Sequence, residues 1–276
     1  MAADVQSSTA LDTTIKTASS PETRVAVLEL YTSEGCSSCP PADRFLSALK
    51  DAGISDKQLI PMAFHVTYWD HIGWKDRFAK KQYDQRQRSL AIKNRKNSVY
   101  TPQFVLVGDD YRRYATFSED INKLAAQIAT IDLMLQLGFQ DEQADSGQRD
   151  ADQSNNNKRN NSSVTEADAN AGKIYLELTS TAVTDSVDDI SFYFVVIEDQ
   201  LYSDVSDGEN DGKKLLHDYV VRHLSEPYIV DSLSGSVRTE YTIGVPAGWK
   251  RKDLSVVAFA ENTQTGEVLQ AVRIKL

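Results

Sequence analysis

Two cysteines separated by two residues lie where an apolar run ends and an amphipathic segment begins. Residues 25–31 (VAVLELY) are mostly apolar and have the length of a strand that is buried on both faces of a sheet. A polar turn with Cys36 and Cys39 follows, and the apolar residues of 40–53 then recur at helical spacing. The sequence therefore predicts a strand, a loop that carries both cysteines, and a helix whose free N–H groups and dipole favour a thiolate.

Cys36 and Cys39 are the only cysteines among the 276 residues. A disulfide between them would close a loop too short to constrain much of the unfolded chain, so a stabilising disulfide scaffold is excluded. Such a pair is more typical of redox chemistry than of stability. Two alternatives stay open at this point: an inert local disulfide, and a site in which the two thiolates bind zinc or copper.

The chain is acidic, with a formal net charge of -10 at pH 7. An acidic surface repels phosphates, so nucleic-acid binding is not expected. No run approaches the roughly 18 apolar residues that a membrane-spanning helix needs, so no membrane span is expected. Residues 1–23 lack the apolar core of a secretion signal, which leaves open a cytosolic protein or one whose signal has been removed.

Four zones differ in composition and periodicity. Residues 1–23 are polar and are predicted to form a flexible tail, whereas residues 24–140 mix short strands with amphipathic helices. Residues 141–172 have almost no large apolar side chain, and we expect a disordered linker there. Residues 173–276 contain short β-rich runs separated by Asp, Gly, Asn and Ser, which indicates an all-β immunoglobulin-like sandwich. The zones therefore predict two separate domains, an α/β domain and a β-sandwich.

A second landmark is Thr101-Pro102, which opens a predicted strand that a turn joins to another strand. A helix is predicted from about Ser118 to Leu137, where apolar residues recur at helical spacing. Between the two landmarks, residues 75–98 form a polar helical insertion with nine Lys or Arg and two Asp. This basic segment is either a docking surface for acidic substrates or anionic lipid heads, or, in the favoured interpretation, a solvated helix face.

Five motifs resemble those of a family of uncharacterised bacterial envelope proteins with a thioredoxin-like domain. They are ELYTSEGCSSCPPAD, FHVTYWD, VYTPQ and, within 208–223, GEN-x-G and H-x-x-VVR. The resemblance extends over both predicted domains. It implies a thioredoxin-like α/β fold with a helical insertion for 24–140 and a cis peptide bond before Pro102, next to the Cys-x-x-Cys loop. It also implies a periplasmic or secreted protein whose signal peptide is absent from the sequence.

The resemblance further implies thiol–disulfide exchange on other proteins. In the predicted reaction Cys36, the cysteine nearer the surface, attacks a substrate disulfide and Cys39 resolves the mixed disulfide. The backbone of Thr101, next to Pro102, would hold an extended substrate peptide by strand-like hydrogen bonds. Substrate proteins with thiols or disulfides and a redox partner protein are the expected partners, and no cofactor is expected.

Two features depart from thioredoxin. Pro40 and Pro41 disfavour helical geometry in the residue before each of them, so we expect the helix to begin near Pro41, with the cysteines in the preceding turn. Gly35 occupies the position that is commonly tryptophan in thioredoxins, which predicts a more open pocket.

Glu29 lies on the strand before the cysteines and is a candidate proton relay to Cys39, or else a residue at a domain contact. Candidate walls of a substrate pocket, some of which also suit core positions, are Ser37, Ser38, His65, Tyr68 and Trp69. His65 and His71 could instead join the cysteines around zinc or copper, which gives metal handling as an alternative function. A non-catalytic interaction module is the second alternative.

The acidic loop at 204–211 supplies oxygen ligands that suit calcium. Its spacing matches no EF-hand loop, and a polar hairpin loop is the favoured interpretation.

Overall fold

The computed structural model describes residues 15–141 and 171–276. Within these residues the protein is mostly β-structure. The helices are α1 (Pro40–Ala48), α2 (Lys81–Lys93) and α3 (Phe117–Ala125). The strands are β1 (Lys16–Ser19), β2 (Ala26–Thr32), β3 (Leu59–His65), β4 (Gln103–Leu106), β5 (Asp109–Tyr111), β6 (Ile131–Asp141), β7 (Gly172–Ala182), β8 (Val187–Glu198), β9 (Leu201–Asp204), β10 (Lys214–His217), β11 (Val220–Leu224), β12 (Tyr228–Leu233), β13 (Ser236–Val245), β14 (Leu254–Asn262) and β15 (Val268–Lys275).

Strand β2 is the buried strand that leads to the cysteines. All seven of its residues are buried, as its apolar sequence predicts. It pairs in parallel with β3 and antiparallel with β4, and β5 adds to the outer side of β4. Helix α1 packs on this part of the sheet through Leu46 and Leu49, which belong to the same apolar core as β2. The cysteines therefore lie between a central strand and a helix that are both held by the core.

The sheet continues from the first half of the chain into the second. Strand β11 pairs in parallel with β3 at Val220 and Ala63, and antiparallel with β8 on its other side. The order along the main path is β15-β14-β8-β11-β3-β2-β4-β5, with β12 paired to β8. Residues 24–140 and 173–276, which were predicted to be separate domains, thus contribute to one sheet. The physical reason is that the edge of β3 finds its hydrogen-bond partners in the second half.

A second sheet has the order β1-β6-β7-β13. It shares an apolar core with β8, β14 and β15 of the large sheet, in which Leu135, Leu178 and Val256 are almost completely buried. The second half of the chain is therefore built from two sheets that face each other, and the first half supplies β1 and β6 to one of them.

The helix predicted from about Ser118 to Leu137 is only partly correct. Helix α3 ends at Ala125, and Ile131–Asp141 forms strand β6. The residues Ile131, Leu133, Leu135 and Leu137 alternate with polar or less buried ones, which is the period of a strand with one buried face. The apolar spacing was compatible with both periods, and pairing with β7 decides for the strand.

The flexible tail and the linker also need correction where the structure describes them. Residues 16–19, assigned to the tail 1–23, form β1 and pair with β6. Asp141 and Gly172, the two ends of the predicted linker 141–172, are paired opposite each other in the β6–β7 ladder. The segment between them therefore connects neighbouring strands of one hairpin rather than two domains. The tail residues 1–14 and the linker residues 142–170 lie outside the described residues.

Helix α2 is the predicted helical insertion, and several of its cations are engaged within the chain. Arg86 and Lys93 contact Glu261 of β14, while Arg77 and Lys80, which precede the helix, donate to carbonyls of the second half. These four cations are bonded within the chain, so neither interpretation, a docking surface or a solvated helix face, describes them. Among the described residues, no helix combines the length and apolarity needed to cross a membrane.

Candidate functional site

Cys36 and Cys39 form a disulfide at the start of helix α1, with their Cα atoms 5.4 Å apart. Cys39 is the N-cap residue, and its carbonyl accepts the N–H groups of Ala42 and Asp43. The helix begins at Pro40, one residue earlier than expected, because proline fits the first helical turn, where its missing N–H has no partner to lose. The disulfide therefore lies at the positive end of a nine-residue helix.

Both sulfur-bearing residues are buried. Cys36 is 1% exposed and Cys39 is 0% exposed, whereas Ser37 and Ser38 between them are exposed. The hydroxyl of Ser38 lies 3.2 Å from Sγ of Cys36. The expectation that Cys36 is nearer the surface is therefore wrong for this conformation, since the two cysteines are covered to nearly the same extent.

Residues 207–211 of the second half, which we call the cover loop, are hydrogen-bonded to the backbone of the cysteine loop. Nδ2 of Asn210 donates to the carbonyl oxygens of Glu34 (2.8 Å) and Cys36 (3.0 Å). The N–H of Ser37 donates to Oε2 of Glu209 over 2.9 Å. Residues about 170 positions apart in sequence thus meet at the Cys-x-x-Cys loop. Instead of the calcium site considered for this loop, the structure shows its Asn210 and Glu209 bonded to protein groups.

The Thr101–Pro102 peptide bond is cis, which confirms that expectation. Trp69 connects this bond to the cysteine loop. Its Nε1 donates to Oγ1 of Thr101 over 2.7 Å, and a Cβ placed on Gly35 would lie 3.2 Å from Cβ of Trp69. Gly35 is thus the small residue that lets Trp69 pack closely against the cysteine loop, so the position is filled rather than open.

The other predicted pocket residues lie around Trp69 or beneath it. Tyr68 is partly buried and its hydroxyl donates to Oε1 of Gln87 over 3.1 Å; burial raises the pKa of Tyr68 to about 12. His65 is 1% exposed and is part of the buried group described next. His71 is exposed and contacts the carbonyl of Tyr68, so the structure does not bring it to the cysteines.

Five titratable side chains form a buried group beneath the cysteine loop, which we call the acid–imidazole cluster: Glu34, Asp43, His65, Asp76 and His217. Nδ1 of His65 lies 2.6 Å from Oδ2 of Asp76, and Nε2 of His217 lies 3.2 Å from Oε1 of Glu34. The two imidazole rings are 5.0 Å apart between centroids and nearly perpendicular. The cluster joins the two halves of the chain, because His217 lies on β10 and the others lie within the first half.

Burial and ion pairing oppose each other in this cluster. Burial disfavours the imidazolium form of His65, but the carboxylate of Asp76 outweighs it and the pKa of His65 is raised. Burial likewise disfavours the charged forms of Asp76 and Glu34, yet the contacts with His65 and His217, respectively, lower the pKa of each carboxyl. For Asp43 burial dominates, and its pKa is raised.

Two ring nitrogens of the cluster, Nε2 of His65 and Nδ1 of His217, are buried without a hydrogen-bond partner. They are free lone pairs or N–H groups, which is the chemistry that holds either a proton or a metal ion. Across residues 15–141 and 171–276, however, no three His, Cys, Asp or Glu side chains have an arrangement that would hold a metal. The cluster is therefore a set of buried acid–imidazole contacts in which two ring nitrogens have no hydrogen-bond partner.

Glu29 lies at a contact between the two halves, the alternative to a proton relay, because its partner Arg86 also bonds Glu261 of β14. Both of its carboxylate oxygens accept hydrogen bonds from Arg86, over 2.9 and 2.6 Å, and the hydroxyl of Tyr31 adds a third at 2.6 Å. The carboxyl group that follows Cys39 by one helical turn is Asp43, whose Oδ1 accepts from Thr32 over 2.9 Å. The spacing Cys39–Asp43 was the signal in the sequence, because residues four apart share one face of a helix.

The sequence also did not predict that residues of the second half belong to the site. Glu209 and Asn210 belong to the GEN-x-G motif, and His217 begins H-x-x-VVR. Both motifs had been singled out, but nothing in the local sequence indicates that they meet Cys36 and Glu34. The sheet pairing of β11 with β3 brings them there.

The comparisons agree with a fold that spans both halves. The computed structure is similar to a crystal structure of AGR_C_4864 from Agrobacterium tumefaciens, with a TM-score of 0.54 and 21% identity over 92% of this chain and 96% of that one. It is also similar to HBP35 of Porphyromonas gingivalis, with a TM-score of 0.62 and 15% identity over 93% of this chain and 76% of that one. At these identities the likeness concerns the fold alone. No curated protein matches the sequence.

A family model described as "Protein of unknown function (DUF1223)" matches residues 27–159 and 136–261. The matched residues include the cysteine loop, the cover loop and the acid–imidazole cluster. This chain therefore belongs to the DUF1223 family.

Proposed function

We propose that the protein is a thiol–disulfide oxidoreductase that acts on thiols or disulfides of other proteins through Cys36 and Cys39. The observation that carries the proposal is the disulfide at the N-terminus of α1, linked through Trp69 to a cis peptide bond at Thr101–Pro102. A strand, a Cys-x-x-Cys loop, a helix and a nearby cis-proline together make up the arrangement that the thioredoxin resemblance leads us to expect. The first half is accordingly proposed to be thioredoxin-like.

The chemistry is exchange of one disulfide for another. In the dithiol form, the thiolate of Cys36 attacks a substrate disulfide, a bond forms between Cys36 and one substrate sulfur, and the other substrate sulfur leaves as a thiolate. The thiolate of Cys39 then attacks Sγ of Cys36 and releases the second substrate thiolate. Two electrons pass to the substrate, and the Cys36–Cys39 disulfide is formed; the reverse sequence oxidises a substrate dithiol.

The surroundings of the disulfide suit these steps. The positive end of the α1 dipole stabilises a thiolate at this position; Pro40 and Pro41 have no N–H to add, and the N–H groups of Ala42 and Asp43 donate to the Cys39 carbonyl. The backbone beside Pro102 would receive an extended substrate peptide, with Ser37, Ser38, Tyr68 and Trp69 at the rim. Persistent disulfide chemistry fits an oxidising compartment, so we propose a periplasmic or secreted protein.

A mixed-disulfide trap tests the proposal. Cys39→Ser leaves Cys36 without a resolving partner, and we expect the reduced variant to form a stable mixed disulfide with insulin, a protein with accessible disulfides. Cys36→Ser is the matched control: it retains the same number of thiols, and we expect no adduct because Cys36 is the proposed nucleophile. Equal adduct formation by the two variants, or none by either, would contradict the proposal.

The burial of both sulfurs favours a second candidate function. At 1% and 0% exposure, the disulfide could be an inert local bridge in a protein that serves as an interaction module. In that case reduction would require global unfolding. The two candidates are separated by whether the disulfide is reduced while the chain stays folded.

A further inference from the structure

One small segment of the second half is hydrogen-bonded to the cysteine loop. Ser37 and Ser38 are exposed, so the loop itself lies at the surface of the first half. The cover loop, residues 207–211, reaches the site from the other half of the chain and bonds the Cys36 carbonyl and the Ser37 N–H. Its position therefore bears directly on access to the cysteine loop, together with that of Trp69.

Asn210 is the residue that fastens the cover loop. It is 0% exposed, and its Nδ2 bridges the carbonyl oxygens of Glu34 and Cys36. Nζ of Lys213 donates to Oδ1 of the same side chain over 2.9 Å, so both ends of the amide are engaged. A side chain with two donors and an acceptor is needed to make these contacts, and alanine would make none of them.

Glu209 adds a second contact at the position between the cysteines. Its carboxylate accepts the N–H of Ser37, a loop amide that lies between the two cysteines and before the start of α1. A carboxylate there occupies an amide that would otherwise be available to stabilise a thiolate or to bind an incoming substrate. Next to it, Gly208 has a positive φ of 75° and packs against the turn at Ile72–Trp74.

The cover loop is built so that it can leave without breaking the main sheets. It lies between β9 and β10, which pair only with each other as a two-stranded sheet. Lifting its tip breaks the contacts of Glu209 and Asn210, whereas the ladder between β3 and β11 stays in place. The strands of the hairpin are held separately, β9 by Arg77 at the Tyr202 carbonyl and β10 by His217 at Glu34, so local opening concerns the tip alone.

We propose that the cover loop is a lid that closes the Cys36–Cys39 disulfide and that exchange requires its displacement, with Asn210 and Glu209 as the residues that hold it shut. An attacking sulfur must approach Cys36 along the S–S bond, and a protein substrate cannot do so while the sulfur is enclosed. This inference rests on the proposed function for its purpose, since a lid matters only if the disulfide reacts.

The test is the rate at which dithiothreitol reduces the disulfide in the folded full-length chain, read by alkylation of the new thiols. We expect Asn210→Ala to raise the rate at least tenfold and Glu209→Gln to raise it about two- to threefold. Asn262→Ala is the matched control: Asn262 also caps a hairpin turn, through Gln264 and Thr265, but on β14. We expect no change for it. Rates within twofold of wild type for both lid variants would overturn the proposal.

If Asn210→Ala does not fold, hydrogen exchange in Glu209→Gln tests the lid instead. The N–H of Ser37 donates to Glu209, so we expect it to be protected from hydrogen exchange in the wild type and to exchange faster in Glu209→Gln, while the amides of β2 stay protected. Unchanged protection would contradict the lid.

The lid and the proposed function fail in distinguishable ways. If Asn210→Ala speeds reduction but Cys39→Ser never traps insulin, including in the Asn210→Ala background, the lid stands and the oxidoreductase proposal fails. If trapping occurs and the lid variants have wild-type rates, the oxidoreductase proposal stands and the lid fails.

Discussion

Two buried charged groups connect the halves of this protein, and they differ in whether their charges are fully paired. In the first, Arg86 of α2 donates to Glu29 of β2 and to Glu261 of β14, and Lys93 also contacts Glu261. In the second, the acid–imidazole cluster, two ring nitrogens have no partner. Among the described residues, no buried side-chain nitrogen or oxygen of the first group lacks a hydrogen-bond partner. The second group contains imidazoles, which can gain or lose a proton.

The difference follows from the residue types. A guanidinium stays charged at any pH that proteins experience, and the carboxylates around Arg86 raise the pKa of that group further against the effect of burial. The group around Arg86 is therefore a fixed brace between strands. Imidazoles titrate near neutral pH, and the cluster that contains them begins two residues before Cys36 and includes the carboxyl four residues after Cys39. A buried group that can change its charge lies where redox chemistry would change the charge of the sulfurs.

The largest effect is expected from Arg86→Leu. It leaves Glu29 without its cation and Glu261 with Lys93 alone, so we expect the free energy of unfolding to fall by about 3–5 kcal/mol. Urea unfolding measures this loss. Arg113→Leu is the control, because the Arg113–Asp120 pair is exposed (72% for the Arg113 side chain), and it should cost at most about 1 kcal/mol. Equal losses of free energy of unfolding in the two variants would contradict a larger contribution from the buried group around Arg86.

A smaller and pH-dependent effect is expected from Asp76→Asn. The folded pKa of His65 is raised, so the stability from its ion pair is fully present below about pH 6.5, the unfolded value, and is lost as the pH rises through the folded pKa. The folded pKa of Asp76 is lowered, so the same stability is lost as the pH falls from about 4 through that folded pKa.

The loss caused by Asp76→Asn should therefore be greatest between about pH 4 and 6.5, at roughly 1–3 kcal/mol, and smaller at pH 9. Glu34, Asp43 and His217 also face this pair. The same measurement on Glu34→Gln gives the part of the pH dependence that comes from Glu34. Urea unfolding at pH 5.5 and pH 9 provides the comparison, with Arg86→Leu as the control whose loss stays the same at both values. A loss that grows with pH would contradict the ion pair.

The part of the site that could be predicted from the sequence is the part encoded within one short segment. The apolar run 25–31, the polar turn and the helix after Cys39 predicted β2, the cysteine loop and α1, because each follows from local periodicity and turn chemistry. The cis bond before Pro102 followed from the resemblance and is confirmed.

What could not be predicted depends on contacts between distant segments. Glu29 was a candidate for a proton relay or for a domain contact, and the sequence did not identify its partner, which is Arg86, 57 residues later. Asn210 and His217 reach the cysteine loop only because β11 pairs with β3, and no local pattern specifies that pairing. For the same reason the sequence did not predict the hydrogen bonds between residues 207–211 and the cysteine loop.

Reversible reduction of Cys36–Cys39 in the folded chain is the most direct test of the account. A disulfide that closes a four-residue loop contributes at most about 2 kcal/mol, so we expect dithiothreitol to convert both cysteines to thiols while circular dichroism and the cooperative unfolding transition persist. Reoxidation should restore the starting state. The Asn210→Ala variant should be reduced faster than the wild type. Loss of the folded state on reduction, or a disulfide that resists excess dithiothreitol even in Asn210→Ala, would identify a structural bridge and contradict a redox centre under a lid.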